Sequence, residues 1–163
     1  MGITVEKATP DDVEILHALR VAAEDWLESR GIRQWGRGEV PAEAIREQVD
    51  RGEWYLTTTD GAVVGALRLL WSDPAWPEDG VPAGYVHGLV VDRTRAGAGL
   101  GARLLDWAGE RVRRAGAVVL RLDCLETNLA LRQYYAARGF ETVGRFEHAA
   151  PWQSVVLMER RLS

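Results

Sequence analysis

"DRTRAGAGLGARLL" (residues 92–105) decides how the rest of this chain is read. Gly97, Gly99 and Gly101 alternate with small residues, Arg93, Arg95 and Arg103 flank them, and an apolar helical pattern begins at Leu100. Glycine at this density leaves the backbone uncovered. Just upstream, "YVHGLVV" (85–91) is an apolar run of strand length. Downstream, Leu100, Leu104, Ala108, Val112 and Ala115 recur at helical spacing as far as Gly116. A glycine loop that follows a strand and opens a helix presents the unpaired amides of the first helical turn, and the helix dipole adds positive potential there. Such a loop is predicted to hold an anion, a pyrophosphate above all. The plainer alternative is a tight turn that lets the helix pack closely.

Two nucleotide motifs compete for these glycines. A Walker loop needs a lysine and a hydroxyl after its glycines, and the only lysine in the chain is Lys7. The dinucleotide fingerprint fits better: Gly97, Gly99 and Ala102 satisfy G-x-G-x-x-G/A, and Asp123 ends the next predicted strand where a ribose-binding acid belongs. Its context does not fit. Residues 92–96 separate the strand from the first glycine, and too few strands follow residue 85 for the larger parallel sheet that this fold wants.

Working outward, residues 3–9 read as a strand, and Pro10, Asp11 and Asp12 as a helix start. Val13, Leu16, Leu19, Ala23, Trp26 and Leu27 mark a helix to Ser29. A glycine-rich loop carrying Trp35 leads to a short helix over 41–52. Strands at 53–59 and 62–71 meet at Asp60-Gly61, a strong hairpin signal. A loop with three prolines spans 72–84. A strand at 117–123, a helix between Asn128 and Gly139, and a hairpin of 140–147 with 152–160 around "HAAP" close the chain. The order β α α β β β α β α β β predicts a single α/β domain over 1–163: a mixed, mostly antiparallel sheet of about seven strands, about four helices, and one βαβ crossover.

The chain has 163 residues, 47% hydrophobic and 27% charged, ordinary for a globular domain. A formal charge of −4 argues against nucleic acid as a partner, which needs a basic face, and mildly favours a cationic small molecule. Cys124 is the only cysteine, so no intrachain disulfide forms and a reducing compartment suits the chain. "MGITVEKATP" (1–10) has neither the basic nor the apolar region of a signal peptide, and no run approaches a membrane span. A cytoplasmic location with no membrane partner is the expectation.

"VVDRTRAGAGLGARLL" (90–105) resembles the acyl-CoA-binding motif of the GNAT superfamily of N-acetyltransferases: Gln or Arg, two residues, Gly, one residue, then Gly or Ala. Gly99 and Gly101 match its last two positions, Ala96 stands at the Gln/Arg position, and Arg95 lies one residue earlier. About thirty residues later, "NLALRQYYAARGF" (128–140) resembles the family's second signature through Asn128, Tyr135, Gly139 and Phe140, with Leu131 replacing the usual alanine. Two motifs in the right order, within the expected element sequence, favour this family over the dinucleotide fold.

The resemblance implies transfer of an acetyl group from acetyl-CoA to an amine acceptor. It implies that Arg95, Ala96, Gly97, Ala98, Gly99, Leu100, Gly101 and Ala102 cradle the pyrophosphate. It implies that the strand edge at Leu89, Val90 and Val91 pairs with the pantetheine arm, and that Asn128 contacts the arm from the other side. Tyr135 stands at the family's position for the acid that protonates the departing thiolate. The residues themselves suggest a base. An alkylamine is mostly protonated at neutral pH, and His87, two residues after Tyr85 on the strand before the loop, is the candidate; Asp123 and Glu24 are weaker ones. His17 and His148 read as surface residues. Cys124 reads as a packed strand residue. No Cys/His cluster has zinc spacing, so no metal is expected. Among the tryptophans, Trp54, Trp107 and Trp152 read as packing residues, while Trp26, Trp35, Trp71 and Trp76 lie in or beside the variable loops, where some could wall an acceptor pocket. A homodimer is an assembly common in the family. The competing functions are a small nucleotide-binding oxidoreductase and a non-catalytic acyl-CoA sensor of the same fold.

Overall fold

The computed structural model describes residues 3–31, 40–95, 99–148 and 153–163. The elements are β1 (Val5–Lys7), a 3₁₀ turn (Pro10–Asp12), α1 (Val13–Ser29), α2 (Ala42–Asp50), β2 (Trp54–Thr59), β3 (Ala62–Leu70), β4 (Ala83–Val91), a second 3₁₀ turn (Arg93–Arg95), α3 (Leu100–Arg114), β5 (Val119–Leu125), α4 (Leu129–Ala136), β6 (Glu141–Phe146) and β7 (Val155–Arg161). The strands follow the order β1-β2-β3-β4-β5-β7-β6 in one sheet. β4 and β5 are parallel; β1–β2, β2–β3, β5–β7 and β6–β7 are antiparallel. This is the expected mixed α/β architecture of seven strands and four α-helices among the described residues. "HAAP" and Trp152 fall partly or wholly outside the described residues, as does Trp35.

The chain divides into two compact units, Met1–Leu69 with Gly88–Trp107, and Leu70–His87 with Ala108–Ser163. In the first, Thr9 N–H donates to Asp12 Oδ2 at 2.8 Å, fixing the turn that launches α1. Asp60 (φ 53°) and Gly61 (φ 80°) both adopt the left-handed conformation that a two-residue hairpin with the sheet's twist requires. The core of this unit packs Leu16, Ile45, Trp54, Leu56, Ala66 and Val90 together. α1 departs from the expected stripe. Its buried positions are Val13, Leu16, Arg20 and Glu24, and Arg20 Nε lies 3.3 Å from Glu24 Oε2 one turn on. A buried ion pair one turn apart is invisible to a count of apolar residues, because its members look like solvent-facing charges.

In the second unit, Trp76, Ala83, Tyr85, Val119 and Leu157 form a core cluster. Gly84 lies so close to Val112 that a Cβ there would overlap Val112 Cγ1. α3 buries Leu100, Leu104, Leu105, Ala108 and Val112, a wider stripe than expected, and leaves Ala115 exposed because the helix has ended at Arg114.

Candidate functional site

The first unit carries the glycine loop. β4 hands over at Asp92, whose N–H donates to Val64 O at 2.8 Å. The Asp92 carboxylate accepts from Thr94 N–H (2.9 Å) and Thr94 Oγ1–H (2.8 Å), and those bonds hold its pKa below the ordinary range. Arg95 N–H donates back to Asp92 O at 2.9 Å. These bonds close a local turn over residues 92–95. Gly99 sits at the start of α3 with φ 73° and with nothing within 4 Å of where a Cβ would stand. Its carbonyl accepts from Arg103 N–H at 3.1 Å, while Leu100, Gly101 and Ala102 supply the first-turn amides. Ala96, Gly97 and Ala98 lie outside the described residues. The Arg93 guanidinium lies 3.8 Å from the centroid of the Trp26 ring, with Arg30 also over that ring at 4.7 Å. The Trp26 ring on α1 thus faces two guanidinium cations, each such contact worth about 0.5–1 kcal/mol where exposed.

β4 is not a regular strand. Gly88 has φ 58°, and a Cβ there would meet Trp54 Cη2 at 2.8 Å. The period-two alternation that would put His87 on the same face as Leu89 does not carry through such a residue. Past it, Val90 is buried and Leu89 and Val91 are half-buried. The parallel ladder to β5 joins Ala83–Tyr85 with Val119–Arg121, ahead of the point where β4 changes course.

The second unit carries the titratable cluster. His87 Nε2 lies 2.8 Å from Asp73 Oδ2, on the loop between β3 and β4. Asp123 of β5 completes a group in which one ligand atom from each residue lies within 4.8 Å of the others. One imidazole and two carboxylates are donors that can hold a divalent ion, and no spacing rule finds them because they come from three separate segments. Burial raises the Asp123 carboxyl above the ordinary range; His87 and His148 oppose the rise and Asp73 adds to it. The structure thus brings His87 and Asp123 together. Glu24 is engaged in its own helix. His17 and His148 are half-buried, the latter edge-on to Phe146 at 4.7 Å.

Tyr135 lies on α4 and is buried, with Tyr134 and Phe140 edge-on at 5.6 and 5.7 Å. Burial, reinforced by Cys124, Tyr134 and Asp123, raises its pKa, so the phenol stays protonated far into the alkaline range. Cys124 is buried in β5 and its thiol is pushed up to about 11, chiefly by desolvation. A thiol so raised is a poor nucleophile at neutral pH, which agrees with the packing role. Asn128 serves as the N-cap of α4: its Oδ1 accepts from Leu131 N–H at 3.1 Å. Among the tryptophans, Trp54 and Trp76 are buried and Trp71 is exposed, while Trp107 lies tilted against Tyr55 with ring centroids 4.9 Å apart.

Comparison with known proteins gives the architecture a family. The model of the acetyltransferase (GNAT) family matches residues 20–140. An uncharacterized N-acetyltransferase of Bacillus subtilis, YesJ, is 32% identical over 146 residues, covering 84% of this chain and 81% of that protein. A GNAT-family acetyltransferase of Listeria monocytogenes superposes with a TM-score of 0.79 at 26% identity, covering 98% of this chain and 95% of that one. The yncA protein of Salmonella typhimurium, solved with its cofactor acetyl-CoA, shares the fold at a TM-score of 0.71 and 17% identity, over 100% of this chain and 95% of that one. The chain is a member of the GNAT family of acetyltransferases.

Proposed function

We propose that this acetyltransferase moves the acetyl group of acetyl-CoA to a primary amine of a small molecule or peptide by direct attack, acting in the cytoplasm as a single catalytic domain over 1–163, with a homodimer as the assembly to test. The observation that carries the reading is the strand–glycine loop–helix unit from β4 to α3, in a chain of this family. The amides of Gly99, Leu100, Gly101 and Ala102, with Ala96, Gly97, Ala98 and the Arg95 charge before them, cradle the pyrophosphate. Leu89, Val90 and Val91 lend a strand edge to the pantetheine arm, and an amide there polarises the thioester carbonyl. Asn128 contacts the arm in addition to capping α4.

His87 takes a proton from the acceptor ammonium. The freed nitrogen lone pair attacks the carbonyl carbon and the C–S bond breaks. The sulfur leaves as CoA thiol with one proton, and the new amide nitrogen sheds its second proton to solvent. Tyr135 meets the developing thiolate. An ordinary thiol has a pKa near 8.5, so a phenol weakened by burial serves first as a hydrogen-bond donor; once its proton crosses to sulfur, the phenolate regains one from the water that takes the amide's second proton.

An assay of free CoA thiol against a diamine, an aminoglycoside, an amino acid and a peptide with a free N-terminus tests the reading. Thiol release with at least one amine is the expected result. Binding of acetyl-CoA with no thiol release across the panel turns the conclusion to a non-catalytic acyl-CoA sensor.

A further inference from the structure

His87 has a partner that no motif announces. Asp73 stands on the loop of residues 71–82, and its side chain is only 7% exposed. A carboxylate removed from water needs a compensating donor or charge, and His87 Nε2 is 2.8 Å away. Nε2 is itself shut off from solvent, and the contact lies off the N–H direction of an ideal hydrogen bond. Catalytic hydrogen bonds are often misaligned before substrate binds. The imidazole as a whole keeps 29% exposure, so what remains open lies on its other atoms.

The loop that carries Asp73 is pinned. Asp73 Oδ1 accepts from Ala75 N–H at 2.9 Å, and Trp76 N–H donates to Asp73 O at 3.1 Å. Trp76 is buried, edge-on to Tyr85 at 5.9 Å, with the Arg121 guanidinium 4.5 Å from its centroid. Arg121 also grips Asp79 farther along the loop (2.7 Å) and Glu159 of β7 (3.0 Å), and donates to Tyr85 Oη at 3.1 Å. Two anchors on one short loop are a costly way to place a merely solvated aspartate.

We propose that Asp73 is the positioning residue of the reaction: it holds His87 with the proton on Nε2 and the lone pair on Nδ1, forming a dyad that accepts the proton of the amine. This rests on the reading of His87 as the base. The acceptor R–NH3+ gives a proton to Nδ1, and Nε2 keeps its own against Asp73. The resulting imidazolium is offset by Asp73 from the loop and Asp123 from β5, a carboxyl that His148 also influences, and then releases its proton to water.

The kinetics of D73N, D73E and H87Q, with the fastest amine of the panel, test it. We expect D73N to lower kcat at least about tenfold while the acetyl-CoA KM stays within about twofold, and D73E to recover part of the loss. A wild-type kcat for D73N beside a slow H87Q overturns the dyad alone. A wild-type kcat for H87Q overturns the base reading and the dyad with it. The ¹⁵N NMR spectrum of the wild-type imidazole serves even if a variant fails to fold. Neutral His87 is expected to carry its proton on Nε2, and a neutral form protonated on Nδ1 overturns the proposal. Chelator-treated enzyme is expected to keep its rate. A rate lost to chelation and restored by Zn²⁺ or Mn²⁺ overturns the dyad in favour of an ion held by Asp73, His87 and Asp123.

Discussion

Tyr135 is buried and its phenol is a weakened acid, so the role proposed for it rests on where its O–H is held. Tyr135→Phe keeps the ring packing against Tyr134 and Phe140 and removes only that group. Its kcat is expected to fall about a hundredfold with little change in the acetyl-CoA KM, measured by thiol release. Cys124 offers a test of burial through pH. Its folded pKa is raised from 9.0 to about 11, so the protonated thiol favours the folded state. The corresponding stability is complete below pH 9 and is lost as pH rises towards 11. Tyr135 acts in the same direction at higher pH. Urea midpoints taken from pH 8 to 11 are expected to fall, and less steeply for Cys124→Ala. At this scale the sequence was only partly legible. His87 and Tyr135 stand out by residue type and motif spacing, whereas Asp73 sits among prolines in a loop without periodicity, and only folding shows what it meets.

The turn from β4 into α3 was the most legible element, because helix amides, glycine spacing and strand length all speak through local sequence. Gly99→Asp tests it. Its positive φ is one that Asp tolerates better than most residues, and there is open space around it, so the fold is expected to persist. Acetyl-CoA affinity is expected to drop at least about tenfold by calorimetry, because a carboxylate would replace bare backbone beside the proposed pyrophosphate site. Gly84→Ala should do the reverse: its Cβ would overlap Val112, and overpacking a closed strand–helix contact costs about 1–3 kcal/mol in denaturant unfolding. The kink at Gly88 was not legible, since "YVHGLVV" reads as an unbroken strand until the backbone shows its left-handed turn. Likewise, helical periodicity could not show that α1 buries Arg20 and Glu24, because pattern counts assume that charges face water.

For the whole molecule, element order carried the fold, since a strand–helix–strand crossover in a seven-stranded mixed sheet leaves few topologies. It could not reveal that the chain divides into two compact units, because that depends on contacts between residues far apart in sequence. Acetyl-CoA at a hundred times its Kd is expected to stabilise the protein by about 2.7 kcal/mol in a thermal melt, and NAD to leave it unchanged. Stabilisation by NAD alone would return the glycines to the dinucleotide reading. Arg121 ties the loop of residues 71–82 to β7 through Asp79 and Glu159. This single side chain on β5 fastens the loop that carries Asp73, yet it lies in no motif of the family's chemistry. If Asp73 positions His87 as proposed, turnover drifts through generations by changes at Arg121, Asp79 or Glu159, with every reacting group intact. A comprehensive mutational scan should record these three as sites where the enzyme slows before it unfolds.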